Sequence, residues 1–94
     1  MARATLNGTV IAESDQTVMV EGNHYFPPDS VNRDLLQESA KRTICGWKGE
    51  ASYFDIVVDG DVSANAAWVY VSPKDAAAEI KDHLAFWGAV KVEG

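Results

Sequence analysis

The sequence predicts a mainly β fold of short antiparallel strands with one short helix near the C-terminus. Turn-forming residues recur about every eight to twelve positions, and the segments between them are rich in β-branched, aromatic and alternating apolar residues. The 94 residues contain no repeat, linker or low-complexity segment, and they are enough for one hydrophobic core. We therefore expect residues 1–94 to form a single domain, arranged as an antiparallel sandwich or a barrel-like sheet.

Tight turns divide the first third of the chain into short strands. Asn7-Gly8 is a typical two-residue hairpin turn, and Gly22-Asn23 is predicted as a second one. Pro27 ends the strand before it, because proline has no N–H group to donate to a neighbouring strand. The segments predicted as strands are Ala4–Leu6, Thr9–Ala12, Thr17–Glu21 and His24–Phe26.

The middle of the chain contains the strongest strand signals. Leu35–Glu38 and Thr43–Cys45 are predicted as short extended segments on either side of a polar turn. Ala51–Val58 is predicted to put its even-numbered residues on one face of a sheet and its odd-numbered residues on the other. Asp59-Gly60 is a further hairpin turn, and Ala66–Val71 is the next predicted strand.

The one predicted helix follows this strand. Ser72 is a suitable N-cap, and Pro73 suits the first helical position because its missing N–H group would have no partner there. The helix is predicted over Pro73–Ile80, about two turns of mostly good helix formers. Leu84–Trp87 and Val90–Glu93 are predicted as the last strands.

The acidic composition excludes several classes of partner. Eight Lys and Arg residues against fourteen Asp and Glu residues give a net charge of −6. Duplex nucleic acids and anionic membrane surfaces bind basic proteins, so we expect neither as a partner. Cys45 is the only cysteine, so no intramolecular disulfide can form, and no segment resembles a signal peptide or a spanning helix. The expected location is the cytoplasm.

Familiar catalytic and metal-binding signatures are absent from the sequence. There is no P-loop, no dinucleotide-binding glycine motif, no nucleophile elbow and no C-x-x-C pair. Cys45, His24 and His83 could converge on a metal ion, but their spacing does not require it. We expect no metal and no cofactor.

Lys48 and several aromatic residues are the candidate functional side chains. Lys48 lies in the segment Gly46–Gly49, where glycines allow a close approach of the backbone to a ligand and the lysine supplies a positive charge. Tyrosine and tryptophan combine an apolar ring with a polar group, which suits a small-ligand pocket, although simple core packing is the alternative interpretation. The candidate ligand-binding residues are Tyr25, Trp47, Lys48, Tyr53, Trp68 and Tyr70.

Three functions remain open at this point. The first is binding of a small molecule, with Lys48 contacting an anionic or carbonyl group and the aromatic side chains stacking on a flat one. The second is an enzyme of redox, acyl or nucleotidyl transfer, with Cys45 as nucleophile or redox centre and Lys48 stabilising its thiolate or an oxyanion. The third is a structural or interaction module that pairs through a sheet edge, so the chain is expected to be a monomer or a homodimer.

Five short motifs resemble one known family, Domain of Unknown Function 427. Cys45–Tyr53 is similar to its C-x-x-K-G-x-A-x-Y core, and Ala67–Pro73 to its next motif, A-W-x-Y-x-x-P. The other matching segments are Ile11–Ser14, Tyr25–Pro27 and Leu84–Phe86. Each motif is weak alone, but the five occur in the right order and spacing and cover nearly the whole chain.

The resemblance implies a tent-like antiparallel fold of the Mss-four-like kind, which also occurs in methionine sulfoxide reductase B and the cereblon ligand-binding domain. Those proteins commonly hold zinc between paired C-x-x-C hairpins, and one cysteine is not enough to carry that metal over to this chain. The family also bears a nucleotidyltransferase-like label. Nucleotidyl transfer needs carboxylates that clamp metal ions, and no such pair is evident in the sequence.

Overall fold

Nine β-strands make up most of the chain in the computed structural model, which describes residues 1–94. The strands are β1 (Ala2–Leu6), β2 (Thr9–Ser14), β3 (Val18–Val20), β4 (Asn23–Tyr25), β5 (Leu36–Cys45), β6 (Gly49–Val58), β7 (Asp61–Val69), β8 (Leu84–Phe86) and β9 (Lys91–Glu93). Three short 3-10 segments complete the structure: Pro28–Ser30, Arg33–Leu35 and Asp75–Ile80. Every strand pairing is antiparallel, so the predicted mainly β, antiparallel fold class is confirmed.

The strands form two sheets and a small hairpin. β1 lies between β2 and β9 in a three-stranded sheet, and β5 to β8 form a four-stranded sheet in chain order. β3 and β4 form the hairpin. This hairpin continues the four-stranded sheet beyond β8, because the backbones of Phe26 and Leu84 exchange two hydrogen bonds of 2.7 and 2.9 Å.

Three hairpins turn through the same two-residue conformation, with a positive φ at both central residues. Asn7-Gly8 has φ values of 51° and 79°, and Asp59-Gly60 has 51° and 83°, as the sequence predicted. The third turn is Glu21-Gly22, with 53° and 80°. The predicted turn at Gly22-Asn23 is therefore wrong by one residue, because Asn23 pairs with Val20 across the hairpin.

Each face of the four-stranded sheet packs into its own cluster. On one face lies the main core, whose largest side chains are Leu6, Ile11, Phe26, Ile56, Leu84 and Phe86. On the other face lies the second cluster, which consists of Tyr25, Ala51, Tyr70, Ala77, Ile80 and Ala85, with Val18, Val20, Cys45, Tyr53 and Trp68 packed against it. The alternation predicted for β6 is confirmed, since Ile56 and Val58 enter the main core and Ala51 the second cluster.

β5 is one long strand rather than two pieces around a turn. It pairs with β6 on both sides of an irregularity between Glu38 and Arg42, where the sequence predicted a polar turn. The polar residues point to solvent because β5 is an edge of the sheet, so their polarity does not prevent pairing. Asp55, on the neighbouring strand, accepts a 2.8 Å hydrogen bond from the backbone N–H of Asn65, a residue with a φ of 54°.

The predicted helix over Pro73–Ile80 is not an α-helix. The segment Asp75–Ile80 consists of 3-10 turns with a kink at Ala77, and the residue that precedes it is Lys74. Isolated helical segments this short are marginal, and the burial of Ala77 and Ile80 in the second cluster sets the backbone instead. No helical segment of the structure has the length and apolar character needed to cross a membrane.

Candidate functional site

Three connecting segments meet at one end of the four-stranded sheet. The turn between β5 and β6 contains Lys48, and the turn between β3 and β4 contains Glu21, whose carboxylate accepts a hydrogen bond from Lys48 Nζ. The segment after β7 contributes Lys74, whose backbone N–H donates to the carbonyl of Lys48 at 2.8 Å. Lys74 Nζ also donates to the carbonyl of Gly46 at 2.7 Å. These bonds fix the turn between β5 and β6 against both neighbours.

Lys48 is a nearly buried cation. Only 7% of its surface is exposed, and it is the one buried residue of the chain with a charged side chain. Its Nζ lies 5.4 Å from the ring centroid of Trp47 and 5.5 Å from that of Tyr70. Both distances are within the range of a cation–π interaction. We call Glu21, Trp47, Lys48 and Tyr70 the Lys48 site.

The ionisation of Lys48 is set by two opposing effects. Burial by itself would lower the pKa of Lys48, but the hydrogen bond to Glu21, together with smaller electrostatic contributions that include the Glu21 carboxylate, outweighs it, and the pKa is raised. The same hydrogen bond lowers the pKa of Glu21, against a smaller effect of burial. Near neutral pH, Lys48 is therefore an ammonium ion and Glu21 a carboxylate.

Burial raises the pKa of Tyr70, although the positive charge of Lys48 acts in the opposite direction. Tyr70 therefore keeps its phenolic proton near neutral pH, and its ring faces the Lys48 ammonium as a neutral aromatic surface.

Trp47 is the most exposed side chain of the aromatic candidates. It is 42% exposed, and its indole Nε1 donates a long hydrogen bond of 3.4 Å to Glu21 Oε2. The two oxygens of one carboxylate thus face two donors on adjacent residues, the Lys48 ammonium and the Trp47 indole. This arrangement can recognise an anion, because both donors point at the same position in space.

The remaining aromatic candidates form a row across the same face of the sheet. Tyr25 is fully buried, and its hydroxyl accepts a 3.1 Å hydrogen bond from Trp68 Nε1, with the two rings at 84°. Trp68 pairs across the sheet with Tyr53, and their ring centroids lie 6.5 Å apart. The Tyr53 hydroxyl contacts Thr43 Oγ1 at 3.1 Å, and the ammonium of Lys41 lies 5.1 Å from the Tyr53 ring.

The structure brings all six predicted ligand-binding residues to this face. Tyr25 and Tyr70 belong to the second cluster, Tyr53 and Trp68 pack against it, and Lys48 contacts Tyr70 and Trp47 at its end. The side chains pack against one another and no pocket lies among them, so the structure does not show the pocket that the sequence predicted. Sequence reasoning missed Glu21, since its contact with Lys48 joins residues 27 positions apart.

Gly49 serves the backbone conformation of the turn that holds Lys48. Its φ of 113° lies in a region that side chains rarely adopt. The backbone of Ser72 and Lys74 lies 3.5 Å from the position that a Cβ atom would take, which is ordinary van der Waals contact, so the positive φ and not the spacing requires glycine here.

Cys45, the catalytic candidate besides Lys48, is the last residue of β5. Its thiol is half-buried against the second cluster. Neither histidine is its partner: His24 Nδ1 contacts Thr17 Oγ1 at 2.8 Å, and His83 Nδ1 contacts the carbonyl of Lys81 at 2.9 Å. No group of three His, Cys, Asp or Glu side chains has the arrangement of a metal site.

The fold and the Lys48 site together define a mainly β domain with a buried lysine between aromatic rings, beside a row of tyrosine and tryptophan side chains. The sequence profile of the family described as Domain of unknown function (DUF427) matches residues 1–94. The chain therefore belongs to this family, as the five motifs predicted. No curated protein matches it.

Proposed function

We propose that the protein binds a small molecule that carries an anionic group and a flat ring, and that it does so at the Lys48 site. The observation that carries this proposal is a nearly buried ammonium ion, held between two aromatic rings and supplied with only one carboxylate, which comes from an exposed turn. Lysine is almost never buried to this extent unless its charge is paired, and here the pairing partner is open to solvent.

The geometry supports a division of roles between Lys48 and Trp47. Lys48 Nζ supplies the positive charge for the anionic group, and Trp47 Nε1 adds a second donor at the same place. The exposed part of the Trp47 ring is available for stacking on a flat group of the ligand. Tyr70 holds the other side of the Lys48 ammonium.

The Lys48 site is flanked by three further aromatic residues of the same sheet face, Tyr25, Tyr53 and Trp68. The fully buried Tyr25 and its hydrogen bond from Trp68 fix the ring positions on the face that Tyr70 shares. Tyr53, half-buried at the outer end of the row, extends the aromatic surface toward Lys41. We propose that these three residues position the site and that Tyr53 also offers its exposed edge to a ligand.

Calorimetric titration tests the proposal. The probes are adenosine monophosphate and benzoate, each a flat ring with an anionic group, and adenosine as the neutral comparison. We expect the anionic probes to bind and adenosine to bind more weakly. The variant Lys48→Met should lose the preference for the anions. The matched control is Lys91→Met, since Lys91 lies in β9 on the other sheet and is 71% exposed. Equal binding by both variants, or no binding by the wild type, would contradict the proposal.

An enzymatic role of Cys45 or Lys48 has less support. A raised pKa keeps Lys48 protonated near neutral pH, as stabilisation of a thiolate or an oxyanion requires, but its ammonium donates to Glu21 rather than to the Cys45 thiol. The Cys45 thiol has no histidine partner that could act as a base, since both histidines have other contacts. Alkylation of Cys45 over a range of pH measures its reactivity directly. Reaction much faster than that of a free thiol at neutral pH would favour the enzymatic role.

Three further expectations stand as proposals beside this function. The resemblance to Mss-four-like proteins supports a tent-like arrangement of the sheets, and the single cysteine supports a cytoplasmic location. The net charge of −6 supports a small molecule rather than a nucleic acid duplex or a membrane as the partner. The free edge of β5 supports a homodimer as the alternative to a monomer, which light scattering after size-exclusion chromatography distinguishes.

A further inference from the structure

One side chain of the protein, that of Glu21, already fills the position of an anion at the Lys48 site. Glu21 Oε1 accepts from Lys48 Nζ, and Oε2 faces Trp47 Nε1. Both donors lie in the turn between β5 and β6, whereas the acceptor comes from the turn between β3 and β4. The contact therefore shows which chemistry this pair of donors selects, namely an oxyanion with two oxygens on one centre.

The position of Glu21 conflicts with the local chemistry of its turn. A turn with positive φ at both central residues favours Asn, Asp or Gly at the first of them. The other two such turns of this chain follow the rule with Asn7 and Asp59, but the third has Glu21, at a φ of 53°. Non-glycine residues other than Asn and Asp are uncommon in this conformation. The longer side chain of glutamate is what reaches Lys48, so the residue suits the site better than it suits the turn.

Lys48 and Glu21, the two partners of the ion pair, differ in how strongly their surroundings restrict the side chain. The Lys48 side chain is 8% exposed, and the backbone around it is fixed by the hydrogen bonds of Lys74. The Glu21 side chain is 51% exposed, and its only hydrogen-bond partners are the Lys48 ammonium and the Trp47 indole. Rotation of the Glu21 side chain into water would free both donors without any movement of the sheet.

We propose that Glu21 is an internal competitor, and that an external carboxylate or phosphate binds by taking its place at Lys48 Nζ and Trp47 Nε1. The ring of the ligand then lies against the exposed face of Trp47. This inference rests on the proposed function and adds to it the step by which the ligand enters and the residue that limits its affinity. Exchange of one anion for another leaves the Lys48 ammonium paired both before and after the ligand binds.

The variant Glu21→Gln tests the competition. It removes the negative charge and keeps the shape of the side chain. We expect it to bind adenosine monophosphate and benzoate about three- to fivefold more tightly than the wild type, the factor that corresponds to the upper end of the coupling in an ion pair with one solvent-exposed partner. The matched control is Glu13→Gln, which makes the same charge change at the ion pair with Arg3 on the three-stranded sheet. The control should bind both probes as the wild type does.

Heteronuclear NMR of the indole N–H groups provides a second readout. The three tryptophans have different partners, since Trp47 donates to Glu21, Trp68 to Tyr25 and Trp87 to the carbonyl of Asn65. We expect the Trp47 signal alone to shift strongly in Glu21→Gln, and to shift again in the wild type when adenosine monophosphate is added. The signal of Trp87, on another part of the surface, serves as the internal reference.

The possible results separate this inference from the function on which it rests. If the wild type binds the probes but Glu21→Gln binds them no more tightly than the wild type or the Glu13→Gln control, the competition is disproved and the binding function stands. If neither the wild type nor Glu21→Gln binds any probe, both proposals are overturned. Tighter binding by Glu21→Gln with an unmoved Trp47 signal would also overturn the competition, because the anion would then bind elsewhere.

Discussion

The two faces of the four-stranded sheet are built from different chemistry. The main core contains only alanine, branched aliphatic and phenylalanine side chains, which carry no polar atoms that need hydrogen-bond partners. The second cluster contains Tyr25 and Tyr70, with Trp68 and the Lys48 ammonium beside it, and no fully buried side-chain polar atom in it lacks a hydrogen-bond partner. Burial of apolar area stabilises the first face, whereas the second combines burial with specific polar contacts. Substitutions on the two faces should therefore differ in how much unfolding free energy they remove and in whether they also change ligand binding.

The largest loss of stability is expected from Phe26→Ala in the main core. Phe26 is fully buried and packs edge-on against Phe86, with ring centroids 5.6 Å apart. Truncation leaves a cavity that the sheets cannot fill, and it should lower the free energy of unfolding by about 3–5 kcal/mol. Urea denaturation measures the change. A loss below about 1 kcal/mol would mean that the two sheets can close around the missing ring.

A smaller loss is expected from Tyr25→Phe in the second cluster. The ring remains, but the Trp68 indole loses the oxygen to which it donates. One unmade hydrogen bond in a partly buried place should lower the free energy of unfolding by about 1–2 kcal/mol. The comparison is Tyr53→Phe, whose hydroxyl contacts only Thr43 and is half-exposed, so that its effect should be smaller. The reverse order in urea denaturation would contradict the role given to the Tyr25 hydroxyl.

Lys48→Met should abolish the preference for anionic probes while leaving the free energy of unfolding nearly unchanged. Methionine fills a similar volume between Trp47 and Tyr70, and the Glu21 carboxylate that loses its partner is already exposed. Replacing a buried ionic side chain by an apolar one of similar size is often neutral, so we expect a change within about 1 kcal/mol. The preference for anionic probes should nevertheless disappear. A loss of stability as large as that of Phe26→Ala would show that the ion pair has a mainly structural role.

The smallest effect is a dependence of stability on alkaline pH. The raised pKa of Lys48 means that the folded state holds this proton more tightly than the unfolded state, so its contribution is complete below about pH 10.4 and is lost as pH rises through the folded-state pKa. The raised pKa of Tyr70 acts in the same direction above about pH 10. Urea midpoints between about pH 9 and 11 should fall less for Lys48→Met/Tyr70→Phe than for the wild type.

The sequence predicts local features well because they depend on neighbours in the chain. The alternation of β6 follows from a period of two, and the turns at Asn7 and Asp59 follow from turn chemistry. The same alternation explains part of the shared location of the six candidate residues. It predicts which face of the sheet Tyr53 in β6 and Trp68 in β7 occupy, because both lie within strands.

Features that depend on tertiary contacts were not predictable in this way. Glu21 was assigned to the end of a strand, because the pairing of Val20 with Asn23 that places it in the turn is not visible in the sequence. The Pro73–Ile80 segment has the N-terminal signals of a helix, but packing of Ala77 and Ile80 determines its backbone. Asp55 accepts a hydrogen bond from the backbone N–H of the left-handed Asn65 across an irregular pairing, which the sequence does not reveal. None of these three tertiary contacts leaves a periodic signal in the sequence.

The short β3–β4 hairpin has a consequence for motion within the folded protein. Only three residue pairs join its strands, and its attachments include the Phe26–Leu84 bridge and the Glu21–Lys48 contact. Strands with so few backbone contacts open locally at a fraction of the free energy needed for global unfolding. The backbone amides of Val20 and Asn23 should therefore exchange with solvent deuterium long before those of Ile56 in β6. We therefore expect the turn end of the hairpin, which supplies Glu21, to open and close while the fully buried Tyr25 keeps its other end attached to the sheet.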